Sequence, residues 1–157
     1  MHLSTLPITQ RAVIPESYLD EMGHMNVMWY THLFSNAMGE VFELFGMNRD
    51  YFLANKSGAF ALKQFTTYLA EVRVGESVVV RSRVLGRSAK RLHVMHFLVK
   101  ERGDVLAATS EVLGSHVDMT TRRTSPWPPD LAAALDRLIA EHAASGWDVP
   151  LSGVIAP

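Results

Sequence analysis

The chain has no cysteine among its 157 residues, which excludes a disulfide framework, a thiolate metal site and a cysteine nucleophile. It also lacks a surplus of charge. Fifteen lysines and arginines stand against 16 aspartates and glutamates, so the overall field gives no reason to expect a nucleic acid or an anionic membrane as partner. No stretch approaches the roughly 20 apolar residues of a membrane span. The opening segment MHLSTLPITQRAVIPE has no basic region followed by an apolar run, so a cytoplasmic location is expected. No internal repeat or low-complexity segment occurs. Apolar residues, by contrast, make up 48% of the chain, a high share that leaves apolar surface for a partner subunit. The length suits a single domain spanning residues 1–157.

Residues 8–14, ITQRAVI, alternate loosely and stop at Pro15, as a short strand does. An irregular loop follows. From Val27 the apolar positions Val27, Tyr30, Phe34, Met38, Val41 and Phe45 recur at steps of three and four, the spacing of one helical face. Asn26 is the expected N-cap and Gly46 the expected stop. Met28, Trp29 and Leu33 lie off this stripe, so the helix is expected to be wrapped on several sides. After a short polar connection come AFALKQFTTYLAEVR, ESVVVRSRVLG, KRLHVMHFLVK and DVLAATSEVLGSHVDM, separated by the turn signals VG, RSA and RGD. Links this short predict antiparallel neighbours. The alanine-rich LAAALDRLIAEHAA predicts a final helix over about 130–144. The order predicts an α+β fold, with one long antiparallel sheet of about five strands curled around a central apolar helix.

The loop ahead of the helix holds the densest polar chemistry. Asp20, Gly23, His24 and Asn26 sit where free backbone N–H groups and the positive end of the helix dipole point outward, a place that favours negative charge or a developing oxyanion. The same residues also suit capping and turn roles, with Gly23 supplying a positive φ. Seven histidines raise a metal hypothesis that the spacing does not favour: His93 and His96 project from opposite faces of a strand, and His116 with Asp118 makes only two ligands. No metal site is expected.

The segment LDEMGHMNVMWYTHLF resembles the loop and helix start of the hotdog-fold thioesterases, in particular the 4-hydroxybenzoyl-CoA thioesterase-like family. The D-x-x-G-H-M-N form is closest to a branch of acyl-CoA thioesterases associated with carnitine and betaine metabolism. FTTYLAEVRVGESVVVRSRVLGRSAKRLHVMHFLV resembles the family's second to fourth strands and VDMTTRRTSPWP the tail of its last, so the likeness covers about residues 8–129. It implies a hotdog domain, with a core over about 8–121, that hydrolyses an acyl-CoA thioester. Asp20 would be nucleophile or general base, and N–H groups around residues 26–28 would polarise the carbonyl. His24 and Asn26 would orient substrate or hold the loop. Gly23, Met25, Val27, Met28, Tyr30, Phe65 and Tyr68 would line the substrate site.

The run GRSAKR places three cations in five residues at a hairpin. A solvated turn accounts for such a cluster. If the ligand is coenzyme A, the resemblance makes Arg87, Lys90 and Arg91, with Ser88 as a hydrogen-bond donor, its phosphate contacts; Arg122 and Arg123 are a weaker second candidate. No separate cofactor is expected, coenzyme A entering only as part of the substrate. The resemblance also implies a homodimer or dimer of dimers with the site built across the interface. Two other readings stay open: a hotdog enoyl-CoA hydratase or dehydratase, for which Asp20 and His24 would form the dyad, and a non-catalytic acyl-CoA-binding module.

Overall fold

In the computed structural model, which describes residues 2–157, the helix α1 (Val27–Leu44) begins and ends where its own residues dictate. The Asn26 side chain accepts the Met28 N–H at 2.9 Å, and Gly46 takes the left-handed φ of +89° that releases the chain. Of the expected stripe, Tyr30, Phe34, Val41 and Phe45 are buried and Met38 is partly so, but Val27 is 58% exposed. Off the stripe Leu33 is buried, while Met28 is 59% exposed. The helix is therefore covered along one side and bare along the other, not wrapped on several sides.

Among the described residues six strands form the sheet: β1 (Ile8–Val13), β2 (Ser57–Tyr68), β3 (Ser77–Arg87), β4 (Arg91–Lys100), β5 (Val105–Asp118) and the short β6 (Arg123–Thr124). Their order is β1-β3-β4-β5-β2, all pairs antiparallel, with β6 on the end of β5. The two later links do join neighbours, as expected. The first does not: β2 pairs with β5 at the far edge, away from β3. The strand-like run ends at Tyr68, and residues 69–76 cross the end of the sheet instead of turning back. The N–H groups of Leu69 and Ala70 donate to the Ala107 carbonyl, the Val72 carbonyl accepts from Met25, and the Ile14 carbonyl accepts from Gly75. This crossing segment thus lies against the start of α1.

Helix α2 (Arg49–Asn55) occupies what reads as a polar connection; the Asn48 side chain caps it by accepting the Tyr51 N–H at 2.9 Å. Helix α3 (Pro129–Ala143), expected over about 130–144, buries Leu131, Leu135 and Leu138 against Val41, Phe45, Leu92 and Trp127. Each such leucine stabilises the fold by about 1.5–3 kcal/mol. His142 latches the same helix to β3, its Nδ1 accepting the Val84 N–H at 2.9 Å.

The two faces of the sheet are covered differently. Val78, Val80 and Leu98 pack toward α1, while Val79, Met95, Phe97 and Val99 face outward and are covered by Leu6, Trp147 and Val149. His93 and His96 fall on opposite faces, as their spacing requires. His96 stacks on Phe34 inside, with ring centroids 5.9 Å apart. His93 lies outside, 2.8 Å from Glu111, whose other oxygen accepts the Ser152 N–H at 2.7 Å. No helix among the described residues is long and apolar enough to cross a membrane.

Candidate active site

Residues 19–26 fold back on themselves before entering α1. Leu19 bridges Met25, the Asp20 N–H donates to the His24 carbonyl at 3.0 Å, and the Gly23 N–H donates to the Asp20 carbonyl at 3.1 Å. Gly23 stands at φ +83°, where a side chain would add strain. The loop is fixed on both flanks, because Met25 donates to Val72 of the crossing segment and Asn26 donates to Tyr18. Tyr18 in turn stacks on Trp29 of α1, with ring centroids 3.7 Å apart.

This scaffold holds Asp20 in a defined pose. One carboxylate oxygen accepts the Met22 N–H at 2.9 Å, and the other lies 3.3 Å from Nδ1 of His24. Both side chains are mostly shielded but not sealed, at 19% and 29% exposure for Asp20 and His24. A carboxylate so placed keeps lone pairs for a reacting carbon or a water proton, and the histidine fixes its orientation.

The helix donors are fewer than the sequence suggests. Of the N–H groups at residues 26–28, that of Asn26 goes to Tyr18 and that of Met28 goes to the Asn26 side chain. Only the Val27 N–H lacks a partner among the described residues. It sits at the positive end of the α1 dipole, one residue beyond the cap.

Beside the loop, a pocket of about 300 Å³ is lined by His24, Met25, Val27, Tyr30, Tyr68, Leu69, Ala70 and Glu71. The rings of Tyr30 and Tyr68 meet at 83° with centroids 5.1 Å apart. Burial pushes the Tyr30 phenol up to about 12, which keeps it neutral. A second pocket of about 250 Å³ lies farther along α1, between that helix and β2, and is walled by Met38, Phe42, Phe60, Leu92 and Trp127.

Of the residues expected to line a substrate site, Met25, Val27, Tyr30 and Tyr68 gather at the first pocket together with His24. Gly23 and Met28 border the loop without lining it. Phe65 is not brought in: three residues before Tyr68 on the same strand, it projects from the opposite face. Glu71, Leu69 and Ala70 are the additions. They belong to the YLAEVR stretch, whose apparent continuation of β2 hid the fact that it crosses the helix start.

The cationic hairpin lies elsewhere. Arg87 makes a two-pronged ion pair with Asp136 of α3, at 2.7 and 2.6 Å, which ties it to the fold. Ser88 accepts the Arg91 N–H through its hydroxyl, while the Lys90 and Arg91 side chains are exposed. At ~3.3 Å per residue along β3, this hairpin is roughly 30 Å from the strand end that adjoins the Asp20 loop. Arg122 rests over the Phe60 ring at 5.5 Å, at the rim of the second pocket.

Residues 14–135 match the family described as the thioesterase-like superfamily. The chain belongs to that superfamily. Its curled sheet around one helix is the hotdog fold that the sequence resemblance implied. A protein of Agrobacterium fabrum named L-carnitine dehydrogenase/betainyl-CoA thioesterase is 35% identical over 82% of this chain and 28% of its own length. The betainyl-CoA thioesterase of Pseudomonas aeruginosa is 30% identical over 84% of this chain and 82% of that protein. The chain thus spans little more than a quarter of the first relatives it matches, 28% of each. Among solved structures, a hypothetical Staphylococcus aureus protein in complex with CoA has a TM-score of 0.85 at 24% identity, covering 97% of this chain and 96% of that one. A Pseudomonas putida protein has a TM-score of 0.79 at 28% identity, with the same coverage.

Proposed function

We propose that this chain hydrolyses acyl-CoA thioesters at the mouth of α1. The observation that carries the reading is the Asp20 carboxylate, held by Met22 and His24 in the loop whose last turn leaves the Val27 N–H free. The thioester carbonyl oxygen accepts from Val27, which stabilises the oxyanion as it forms. Asp20 then acts in one of two ways. As nucleophile, its oxygen bonds to the carbonyl carbon, the C–S bond breaks, CoA leaves as thiolate, and water cleaves the resulting anhydride. As general base, it takes a proton from water while the water oxygen attacks. His24 orients the carboxylate in either case.

The relatives named above act on betainyl-CoA, which makes that thioester the first acyl group to test. The active unit is a homodimer. Strand β2 is an open edge whose residues 61–65 are all exposed, a row of backbone groups that a second copy can pair with across a two-fold axis. Antiparallel pairing of the two β2 edges would bring the partner's hairpin end to the end that carries Asp20, so that exposed Lys90 and Arg91 of one copy serve the nucleotide bound at the other. Arg87 supports the hairpin through Asp136 and contributes less to the phosphates.

Thiol release over a panel of short, aromatic, long-chain and betainyl CoA esters tests the proposal, with Asp20→Asn measured beside the wild type. Activity on at least one ester, lost in the variant, is expected. Hydrolysis by Asp20→Asn at near the wild-type rate would remove Asp20 from the chemistry. Loss of enoyl-CoA absorbance without free thiol would move the site to the hydratase class.

A further inference from the structure

We infer that Tyr68, Tyr30 and Glu71 form a cation-reading subsite beside Asp20, which selects short acyl groups carrying a quaternary ammonium. The inference rests on the thioesterase reading and adds to it the residues that choose the acyl group.

Three observations converge on the pocket of about 300 Å³ at the helix start. Its two tyrosine rings stand at 83° to each other, so they form two walls of a corner instead of a flat stack. A trimethylammonium group donates no hydrogen bond and is held by the electron-rich faces of such rings. Glu71 is the one carboxylate among the lining residues, and no lysine or arginine of the described residues lines the pocket. A carboxyl-bearing acyl group would therefore be repelled and a cationic one attracted. Arg73 pairs with Glu71 at 3.1 Å on the solvent side and tempers its charge, which makes the rings the larger contributors.

Position fits as well. Tyr30 lies one turn below Val27 on α1, and residues three apart on a helix are surface neighbours. An acyl group whose ammonium is separated from the carbonyl by one methylene would place its charge on Tyr30 while its carbonyl oxygen meets the Val27 N–H. The other pocket, walled by Phe42, Phe60 and Trp127, offers no carboxylate to a cation and has the Arg122 guanidinium at its rim, so it suits neutral chains better. Tyr68 is the more adjustable wall, 48% exposed at the end of β2, whereas Tyr30 is buried.

The test uses the full chain and two thioesters of the same shape: betainyl-CoA and 3,3-dimethylbutanoyl-CoA, in which carbon replaces the charged nitrogen. Thiol release is expected to favour the cation in kcat/KM by roughly 30-fold, the value of a desolvated cation–aromatic contact. Tyr68→Leu should lower that ratio about tenfold and Glu71→Gln about threefold, mostly through KM, while Tyr68→Phe, which keeps the ring, should retain it. A wild-type ratio near one overturns the inference and leaves thioester hydrolysis standing. A high ratio that survives both Tyr68→Leu and Glu71→Gln overturns the assignment to these residues. Absence of thiol from every ester in the panel overturns the underlying thioesterase reading instead.

Discussion

The two ends of α1 are built from similar materials to opposite effect. At its C-terminal end Val41 and Phe45 meet Leu131, Leu135 and Trp127, and His142 supplies the acceptor that the Val84 N–H needs. At its N-terminal end Val27 and Met28 are exposed, the Val27 N–H has no partner among the described residues, Glu71 lines the pocket there, and Asp20 lines a neighbouring open concavity of the loop. One end packs apolar side chains into a shared cluster and gives a buried N–H its acceptor; the other leaves a donor and a carboxylate at a pocket. The difference separates what holds the chain together from what is available for chemistry. It also says how each end should respond to damage.

The sharpest way to break the comparison is Asp20→Asn. With Asp20 in the proposed role of nucleophile or base, its loss is expected to lower kcat by roughly 10²- to 10⁴-fold, while the urea midpoint stays near that of the wild type because the amide can still accept the Met22 N–H. A large loss of stability in that variant would mean that the start of the helix is structural after all. The reciprocal change is Leu135→Ala, at a fully buried position. It should cost about 2–5 kcal/mol in urea unfolding through the cavity it leaves, yet leave kcat per folded molecule within about twofold. Activity that fell with Leu135 while the folded fraction held would couple the two ends and dissolve the contrast.

The same contrast explains what the sequence disclosed. Both ends of α1 were legible because capping is local: Asn26 and Gly46 act on residues within a turn of themselves. The resemblance pointed to Asp20 because its loop is a contiguous motif, and the structure adds the contacts that hold its carboxylate. What escaped depends on distant partners. Strand β2 pairs with β5, some fifty residues on, and no property of its own residues says so. Arg87 reads as a free cation until Asp136, 49 positions later, is seen to engage it. Glu71 reads as the end of a strand until the crossing segment is traced over the helix start. Helix α2 failed for another reason, being a seven-residue element too short to show a period.

Acid offers a graded probe of the sealed part of the fold. Burial holds His96 near 3 and also lowers His116 and His142, so all three are neutral in the folded chain at neutral pH. Their folded pKa values lie below the unfolded ones, so the unfolded chain binds more protons. The stability they confer is therefore present above about pH 6.5 and is lost as pH falls below it, by up to ~1.4 kcal/mol per pH unit for each histidine while it remains neutral in the fold. His142 is the most direct case, since a protonated Nδ1 cannot accept from Val84. Thermal unfolding between pH 7.5 and 5 should show the decline, and His142→Ala should reduce its slope at the cost of leaving the Val84 N–H unpaired.

The smallest expected change in stability falls at the boundary between the two behaviours. Asn26→Ala removes the cap from the Met28 N–H and should destabilise the chain by about 1 kcal/mol in urea. It also leaves two free donors, those of Val27 and Met28, where the wild type has one. If a single donor at Val27 defines the carbonyl position, the second competes for the oxygen and turns it away from Asp20, so kcat falls severalfold, and Asn26→Asp, which restores the cap, recovers both kcat and stability. If the extra donor instead leaves kcat unchanged or raises it, then the Asn26 side chain serves only the helix, and the geometry that matters for chemistry lies wholly in the loop between Asp20 and His24.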